Sequence, residues 1–216
     1  VLPDLAAGCS MADMANRANV ERSWKELNTL INADEQVTPV TYINSAADLK
    51  AFCGQHEGIV CTSSNAQQVL EWCFEKREMV VWDFNQPMGG LTKEQIENAK
   101  MILWKGFCSV HQMFQDNQID DFKKKNPNAI VVAHPEANFE VCEKADYVGS
   151  TEAILKTVRE GKANTQWLIA TELNLVNRLK EEVKDQGKQV HFMSPTVAMC
   201  STMFRTDPQH LAWVLE

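Results

Sequence analysis

Three of the seven cysteines are followed directly by serine: Cys9-Ser10, Cys108-Ser109 and Cys200-Ser201. Their separations are 99 and 92 residues, so two stretches of similar length each end in the same dipeptide. If copies of one unit pack around a pseudo-threefold axis, three thiolates meet on it. Thiolates gathered from such distances suit two metals: zinc, or a cubane iron–sulfur cluster with one iron left without a cysteine. An iron with an open position is a Lewis acid that can bind a substrate oxygen or nitrogen. The plainer alternative keeps all seven cysteines as small buried hydrophobes. Cys53, Cys61, Cys73 and Cys142 lack the serine, and no C-x-x-C pair occurs. That argues against a zinc ribbon, a thioredoxin motif or a local ferredoxin-type run.

A second set of residues has the types needed for proton and anion chemistry. His134 and Glu136 stand two apart around Pro135, so both can project from one loop onto one ligand. A Glu beside a metal-bound substrate serves as general base and a His as donor or acid; the alternative is a solvated turn. His111 lies three residues beyond Cys108 and is expected to face the same cavity. Ser63 and Thr151 each follow an expected strand and open an expected helix. The free N–H groups there attract phosphate or carboxylate, and a hydroxyl adds a donor, although plain N-capping explains the same residues. His56 and His210 read as surface residues and His191 as a strand residue. Trp72, Trp82, Trp104, Trp167 and Trp213 sit among apolar residues at core spacing.

Periodicity supplies the strands and helices around these groups. After a helical segment over 19–31, the first stretch reads as strand 38–43, helix 46–52, strand 58–62, helix 65–74, strand 79–82, helix 92–99 and strand 101–104. The second reads as helix 119–125, strand 129–133, helix 139–144, strand 146–148, helix 152–159, strand 167–170, helix 173–184 and strand 189–193. Short β-branched runs alternating with helical periodicity predict parallel sheets built from βαβ units. Matching motifs then fall at matching places. Tyr42-Ile43-Asn44 and His134-Pro135-Glu136 follow the first strand of each stretch. Cys61-Thr62-Ser63-Ser64-Asn65 and Gly149-Ser150-Thr151-Glu152 follow the second. Ligands of open α/β sheets bind outside the carboxyl ends of strands, where all of these lie. The expected fold is thus α/β, with tandem pseudo-threefold-related three-layer domains and short parallel sheets, two of three copies present. Residues 1–9 read as the end of a preceding repeat, 10–108 and 109–200 as the two repeats, and 201–216 as a C-terminal helix.

Composition agrees with that class. The 216 residues are 44% hydrophobic and 23% charged, with nine Gly and seven Pro, which excludes disordered, collagen-like and coiled-coil readings. The net charge is −8, from 21 basic and 29 acidic residues. An acidic chain without a basic stripe is a poor partner for nucleic acid or an anionic membrane. No apolar run approaches the roughly 18 residues of a membrane-spanning helix. The start faintly resembles a lipoprotein cleavage site, but it has no cationic region and carries Asp4. Seven cysteines, an odd number in a core-rich chain, read as reduced thiols of an intracellular protein. With no initiator Met, the chain is expected to begin inside a longer gene product of three repeats.

The sequence resembles the quinolinate synthase family of NAD biosynthesis. The strings that carry the resemblance are Leu2-Pro3-Asp4-Leu5, Ala7-Gly8-Cys9-Ser10, Tyr42-Ile43-Asn44 and Cys61-Thr62-Ser63-Ser64-Asn65-Ala66. They continue with Gly106-Phe107-Cys108-Ser109-Val110-His111, His134-Pro135-Glu136, Gly149-Ser150-Thr151, Thr171-Glu172 and Cys200-Ser201-Thr202-Met203. In order, they span nearly the whole chain. The resemblance implies three α/β domains, with one cysteine from each, here Cys9, Cys108 and Cys200, holding a 4Fe-4S cluster. It implies condensation of iminoaspartate with dihydroxyacetone phosphate to quinolinate, with loss of phosphate and water. It also implies a cytoplasmic enzyme functionally linked to L-aspartate oxidase. Tyr42, Asn44, His111, His134 and Glu136 would line the cavity, Ser63 and Thr151 would hold phosphate or carboxylate, and Glu136 would move protons. A non-catalytic structural or redox-sensing module on the same thiolates is the alternative.

Departures from the family pattern carry their own expectations. The first domain is missing before Val1, so the chain alone should be inactive. A further strand and a Pro-Asp…Leu-Gly-Arg loop are expected between Glu78 and Met79. Ala137 and Ala198 stand where the family often has cysteine.

Overall fold

A computed structural model of the chain describes residues 4, 7–82, 100–194 and 198–216. The chain divides into two compact units. The N-terminal unit is 8–107; the C-terminal unit is 108–216 together with 1–7.

The N-terminal unit begins with α1 (Arg17–Ile31) and α2 (Ala33–Gln36). It continues with β1 (Val37–Tyr42), α3 (Ala47–Gln55), β2 (Ile59–Cys61), α4 (Ala66–Lys76), β3 (Met79–Trp82) and β4 (Met101–Leu103). The helix expected over 92–99 lies outside the described residues, as does the side chain of Trp82. The C-terminal unit holds α5 (Asp116–Lys125), β5 (Ile130–Ala133), α6 (Phe139–Lys144), β6 (Tyr147–Val148) and α7 (Thr151–Glu160). Then come β7 (Gln166–Ala170), α8 (Leu173–Val183), β8 (Gln189–Phe192) and α9 (Pro208–Leu215). The first sheet runs β2-β1-β3-β4 and the second β6-β5-β7-β8, with every pairing parallel. The two units therefore share one strand order, and the α/β fold with short parallel sheets is present twice.

Strand alternation makes the C-terminal unit three layers thick. Val131, Ala133, Leu168 and Ala170 point to one face, where they pack with Ile119 of α5 and Val141 of α6. Val132, Trp167 and Ile169 point to the other, where α7 supplies Ile154, Leu155 and Val158 and α8 supplies Val176, Leu179 and Val183. Both faces of the sheet are buried, so its strands read as continuous apolar runs. Ala137 and Ala198, the two departures from the family pattern, are fully buried in the first of these cores, against which Cys108 and Cys200 also pack.

The N-terminal unit places a proline in a central strand. Pro39 has no N–H for the ladder, yet β1 pairs with β2 only from Val40 onward, where Val40 meets Ile59. At the position before Ile59 a side chain does not fit. A Cβ on Gly58 would lie 2.0 Å from the Pro39 carbonyl oxygen and 2.7 Å from its Cγ. Proline and glycine thus fit together where the pairing begins.

The tryptophan expectations divide. Trp167 is buried and Trp104 half-buried, its Nε1 donating to the Met14 carbonyl at 3.2 Å. Trp72 and Trp213 are corrected: they are 39% and 77% exposed. Trp72 stands on the outward side of α4, whose inward stripe is Val69, Leu70 and Cys73, and the Lys76 ammonium lies 5.2 Å from its ring. Trp213 belongs to α9, in which no residue is buried. His56, read as a surface residue, is half-buried, bonded through Nδ1 to Asp34 at 2.8 Å and packed on Trp24 and Phe52.

Candidate active site and metal centre

One backbone frame occurs three times, once at each Cys-Ser. The carbonyls of Cys9, Cys108 and Cys200 accept the N–H four residues on, from Asp13, Gln112 and Phe204, at 3.1, 3.0 and 3.1 Å. A short 3-10 turn comes after each: Ala12–Met14, His111–Met113 and Met203–Arg205. An extended residue (Asn16, Gln115 or Asp207) then occupies the N-cap of α1, α5 or α9. The N-cap sits at the same offset from each cysteine. All three thiols are free and half-buried, as is Cys142, whereas Cys53, Cys61 and Cys73 are buried.

The C-terminal unit gathers the proton-moving residues at its topological switch point. Strand β5 lies between β6 and β7, so the chain leaves β5 in one direction and returns on the other side. The crevice this opens at the carboxyl ends is where such sheets bind ligands. His134 leaves β5 there, its N–H donating to Ala170 at the end of β7 at 3.0 Å. The His134 carbonyl then accepts from Ala137, closing a turn that presents Glu136. In the N-terminal unit the Tyr42 carbonyl accepts from Ser45 in the same way. The two turns therefore equate Tyr42 with His134 and Asn44 with Glu136.

Glu136, His111 and Cys108 meet. His111 Nδ1 lies 3.0 Å from Glu136 Oε2 and 3.0 Å from Cys108 Sγ, and its Nε2 lies 3.2 Å from Thr171 Oγ1. The His111 and His134 rings stack at 4.8 Å between centroids. His134 and Glu136 are only 6% and 9% exposed, which sets aside a solvated turn. Burial is the largest influence on Glu136 and pushes its carboxyl up. The His111 hydrogen bond, the electrostatic pull of the two imidazoles and the Cys108 bond together outweigh it and hold the carboxyl below its ordinary value. Burial pushes His134 down to about 4, against the pull of the Glu136 charge. The same burial, with the Glu136 charge, pushes the Cys108 thiol up to about 12.

Proton positions follow from these states. An ionised Glu136 can only accept, so His111 Nδ1 carries the hydrogen that faces it. The other ring nitrogen, Nε2, faces the Thr171 hydroxyl. His134 Nδ1 accepts the Glu136 backbone N–H at 3.2 Å, which leaves the hydrogen of that ring on Nε2. A carboxylate base and a neutral imidazole donor therefore stand side by side.

The anion-site residues have separate fates. The Tyr42 hydroxyl bonds the Ser63 hydroxyl and accepts the Ser63 backbone N–H at 3.1 Å. Asn44 is exposed in the Tyr42 turn. Thr151 is the exposed first residue of α7, but the cap is Ser150, whose Oγ accepts from Ala153 at 3.3 Å. Nor does Ser63 cap α4: Asn65 Oδ1 accepts from the Thr62 backbone N–H at 2.7 Å and holds that turn. Cys200 Sγ lies 3.2 Å from Thr202 Oγ1. Sequence reasoning assigns no role to Thr171, although a hydroxyl at the end of the strand beside β5 was the available signal. Glu172, next to it, is buried and caps α8 through the N–H groups of Asn174 and Leu175, at 2.8 and 3.3 Å.

Known proteins match the whole chain. A quinolinate synthase from Rhodopirellula baltica is 51% identical over 241 residues, an alignment covering 100% of this chain and 61% of the relative. Quinolinate synthases from a Nocardioides species and Herpetosiphon aurantiacus are 45% and 42% identical, each over 100% of this chain and 62% and 64% of the relative. The chain thus spans about three fifths of the length of these curated relatives. The family described as quinolinate synthetase A protein matches residues 1–216, and to that family the chain belongs.

Proposed function

We propose that the protein is the cluster-bearing part of a cytoplasmic quinolinate synthase. It condenses iminoaspartate with dihydroxyacetone phosphate to quinolinate, with loss of phosphate and water. L-aspartate oxidase is the expected functional partner that forms the imine. The observation that carries this reading is the backbone frame repeated at Cys9, Cys108 and Cys200. Three free, half-buried thiols in equivalent local settings fit a 4Fe-4S cluster held by one cysteine from each repeat. When bound, such a cluster supplies one iron without a cysteine, a Lewis acid for a substrate oxygen or nitrogen.

The remaining roles belong to the chain. Glu136, buried and ionised, takes the proton released as the carbon chain isomerises and loses water. His134 keeps a neutral ring with hydrogen on Nε2 and donates to the oxygen that leaves. His111 orients Glu136 through Nδ1. Tyr42 and Ser63, already hydrogen-bonded, offer hydroxyls to a carboxylate or phosphate, with Asn44 beside them. The N-terminus of α7, with Thr151 at its first position, offers N–H groups to a second anionic group. No helix among the described residues is long and apolar enough to cross a membrane.

Anaerobic reconstitution with iron and sulfide tests the reading. The expected product is brown and carries about four irons and four sulfides per chain. Cys9→Ala, Cys108→Ala and Cys200→Ala each lose it, while Cys61→Ala and Cys73→Ala keep it. A cluster that forms without Cys9 or Cys200, or no cluster at all, overturns the proposal.

A further inference from the structure

The three cysteine frames share a backbone but differ in the side chain placed three residues beyond the thiol. The first residue of the 3-10 turn is Ala12 after Cys9, Met203 after Cys200 and His111 after Cys108. Among the described residues, only the middle frame has an imidazole beside its sulfur, with a buried carboxylate within reach of both. We propose that Cys108, His111 and Glu136 form a mononuclear Zn2+ site, distinct in its donors from the three-cysteine set and competing with it for Cys108.

Geometry and donor chemistry support this assignment. One donor atom from each residue, Cys108 Sγ, His111 Nδ1 or a Glu136 carboxylate oxygen, lies within 4.8 Å of the other two. Zinc bonds of about 2.0–2.3 Å in a tetrahedral arrangement set neighbouring donors about 3.3–3.7 Å apart. The 3.0 Å separations of His111 Nδ1 from both Cys108 Sγ and Glu136 Oε2 need to widen by only a fraction of an ångström. A thiolate, an imidazole and a carboxylate are the donor types that zinc accepts together.

The support around the donors is also that of a metal site. Cys108 and His111 are joined by a single turn whose backbone bonds fix their spacing. Glu136 comes from the rigid turn after β5. Thr171 Oγ1, 3.2 Å from His111 Nε2, holds the far side of the imidazole, as groups behind metal-bound histidines commonly do. Loading exchanges the Cys108 thiol proton for zinc, shifts the His111 hydrogen from Nδ1 to Nε2, where it donates to Thr171 Oγ1, and involves no redox change. Three protein donors leave one tetrahedral position open, the arrangement of catalytic rather than structural zinc. Zinc bound here withholds Cys108 from iron.

The metal-free 216-residue chain, titrated with Zn2+ against a chromophoric chelator, tests the site. One zinc per chain is expected. Cys108→Ala, His111→Ala and Glu136→Gln should each weaken binding by at least about 100-fold, and Thr171→Val by about 10-fold. Cys9→Ala and Cys200→Ala should leave zinc affinity unchanged. Cobalt substitution supplies a direct ligand signature, because its thiolate charge-transfer band should vanish with Cys108→Ala and persist with Cys200→Ala. Circular dichroism establishes that each variant is folded, and Thr171→Val, which preserves shape, tests the imidazole without removing a donor. Zinc binding that depends on Cys9 and Cys200, or that is indifferent to His111 and Glu136, overturns the proposal. A chain that assembles the iron–sulfur cluster yet binds zinc no better than its His111→Ala variant overturns this site and leaves the proposed function standing. The reverse result does the opposite.

Discussion

Glu136 and His134 share one turn and burial pushes both toward the neutral form, but Glu136 has more partners for its charge. Two histidines and a thiol surround the carboxylate, so it stays ionised despite desolvation. His134 has the carboxylate as its one favourable neighbour and loses its charge instead, down to about 4. Its folded-state value thus lies below the ordinary 6.5, and the unfolded chain takes the proton first as pH falls. The stability is complete above pH 6.5 and declines toward pH 4, by about 3 kcal/mol for this residue. Urea midpoints measured across that range should fall for the wild-type chain and flatten in His134→Asn. A midpoint that stays level from pH 6.5 to 4 in the wild type contradicts a buried neutral ring. The depressed Glu136 value adds a further loss below its ordinary 4.5, in a separate and lower window. Catalysis tests the carboxylate more directly. In a full-length protein that keeps its cluster, Glu136→Gln should lower kcat by about 10²–10⁴-fold. Undiminished turnover would refute its role as the base.

At the scale of elements, periodicity located the strands and the longer helices among the described residues, because each sheet packs amphipathic stripes. Helix α8 illustrates this: its buried positions Val176, Leu179 and Val183 form a stripe already visible in the sequence. The illegible features depend on contacts between distant segments. Nothing local marks Thr171 as the partner of His111, since the two are sixty residues apart. Trp72 and Trp213 misled because size and apolarity do not say which side of a helix meets a sheet. At the end of β6 the sequence leaves the cap undecided by one residue: Thr151 opens α7 as expected, and Ser150 before it supplies the cap. The Pro39–Gly58 contact is a constraint of the same long-range kind and yields a sharp expectation. Gly58→Ala forces a methyl against the backbone of β1, which should cost about 2 kcal/mol as overpacking does. Gly54→Ala, with nothing within 4 Å of its Cβ position, is the control. Equal stability of the two variants, read from thermal or urea unfolding, would remove the steric account of that glycine.

Among the described residues, one strand order is used twice with different degrees of closure. In the C-terminal unit α5 and α6 seal one face of the sheet and α7 and α8 the other, leaving two apolar cores. The N-terminal unit keeps a cavity of about 390 Å³ beneath α1, lined by Trp24, Leu27, Leu49 and Phe52 and bordered by Leu30 and Leu103. Leu30 and Leu103 remain 76% and 38% exposed. Apolar surface left uncovered contributes nothing to folding, at roughly 25 cal/mol per Å² forgone. The two units should therefore differ in stability despite equal topology. Expressed separately, residues 108–216 are expected to unfold in one cooperative transition at the higher urea midpoint. Residues 8–107 should unfold at lower urea and bind a hydrophobic dye before they do. The candidate metal donors Cys108, His111 and Glu136 all lie in the more closed unit, where a rigid frame holds a site more accurately than a loose one. If 8–107 proves the more stable, packing on both faces of the sheet is not what sets that order.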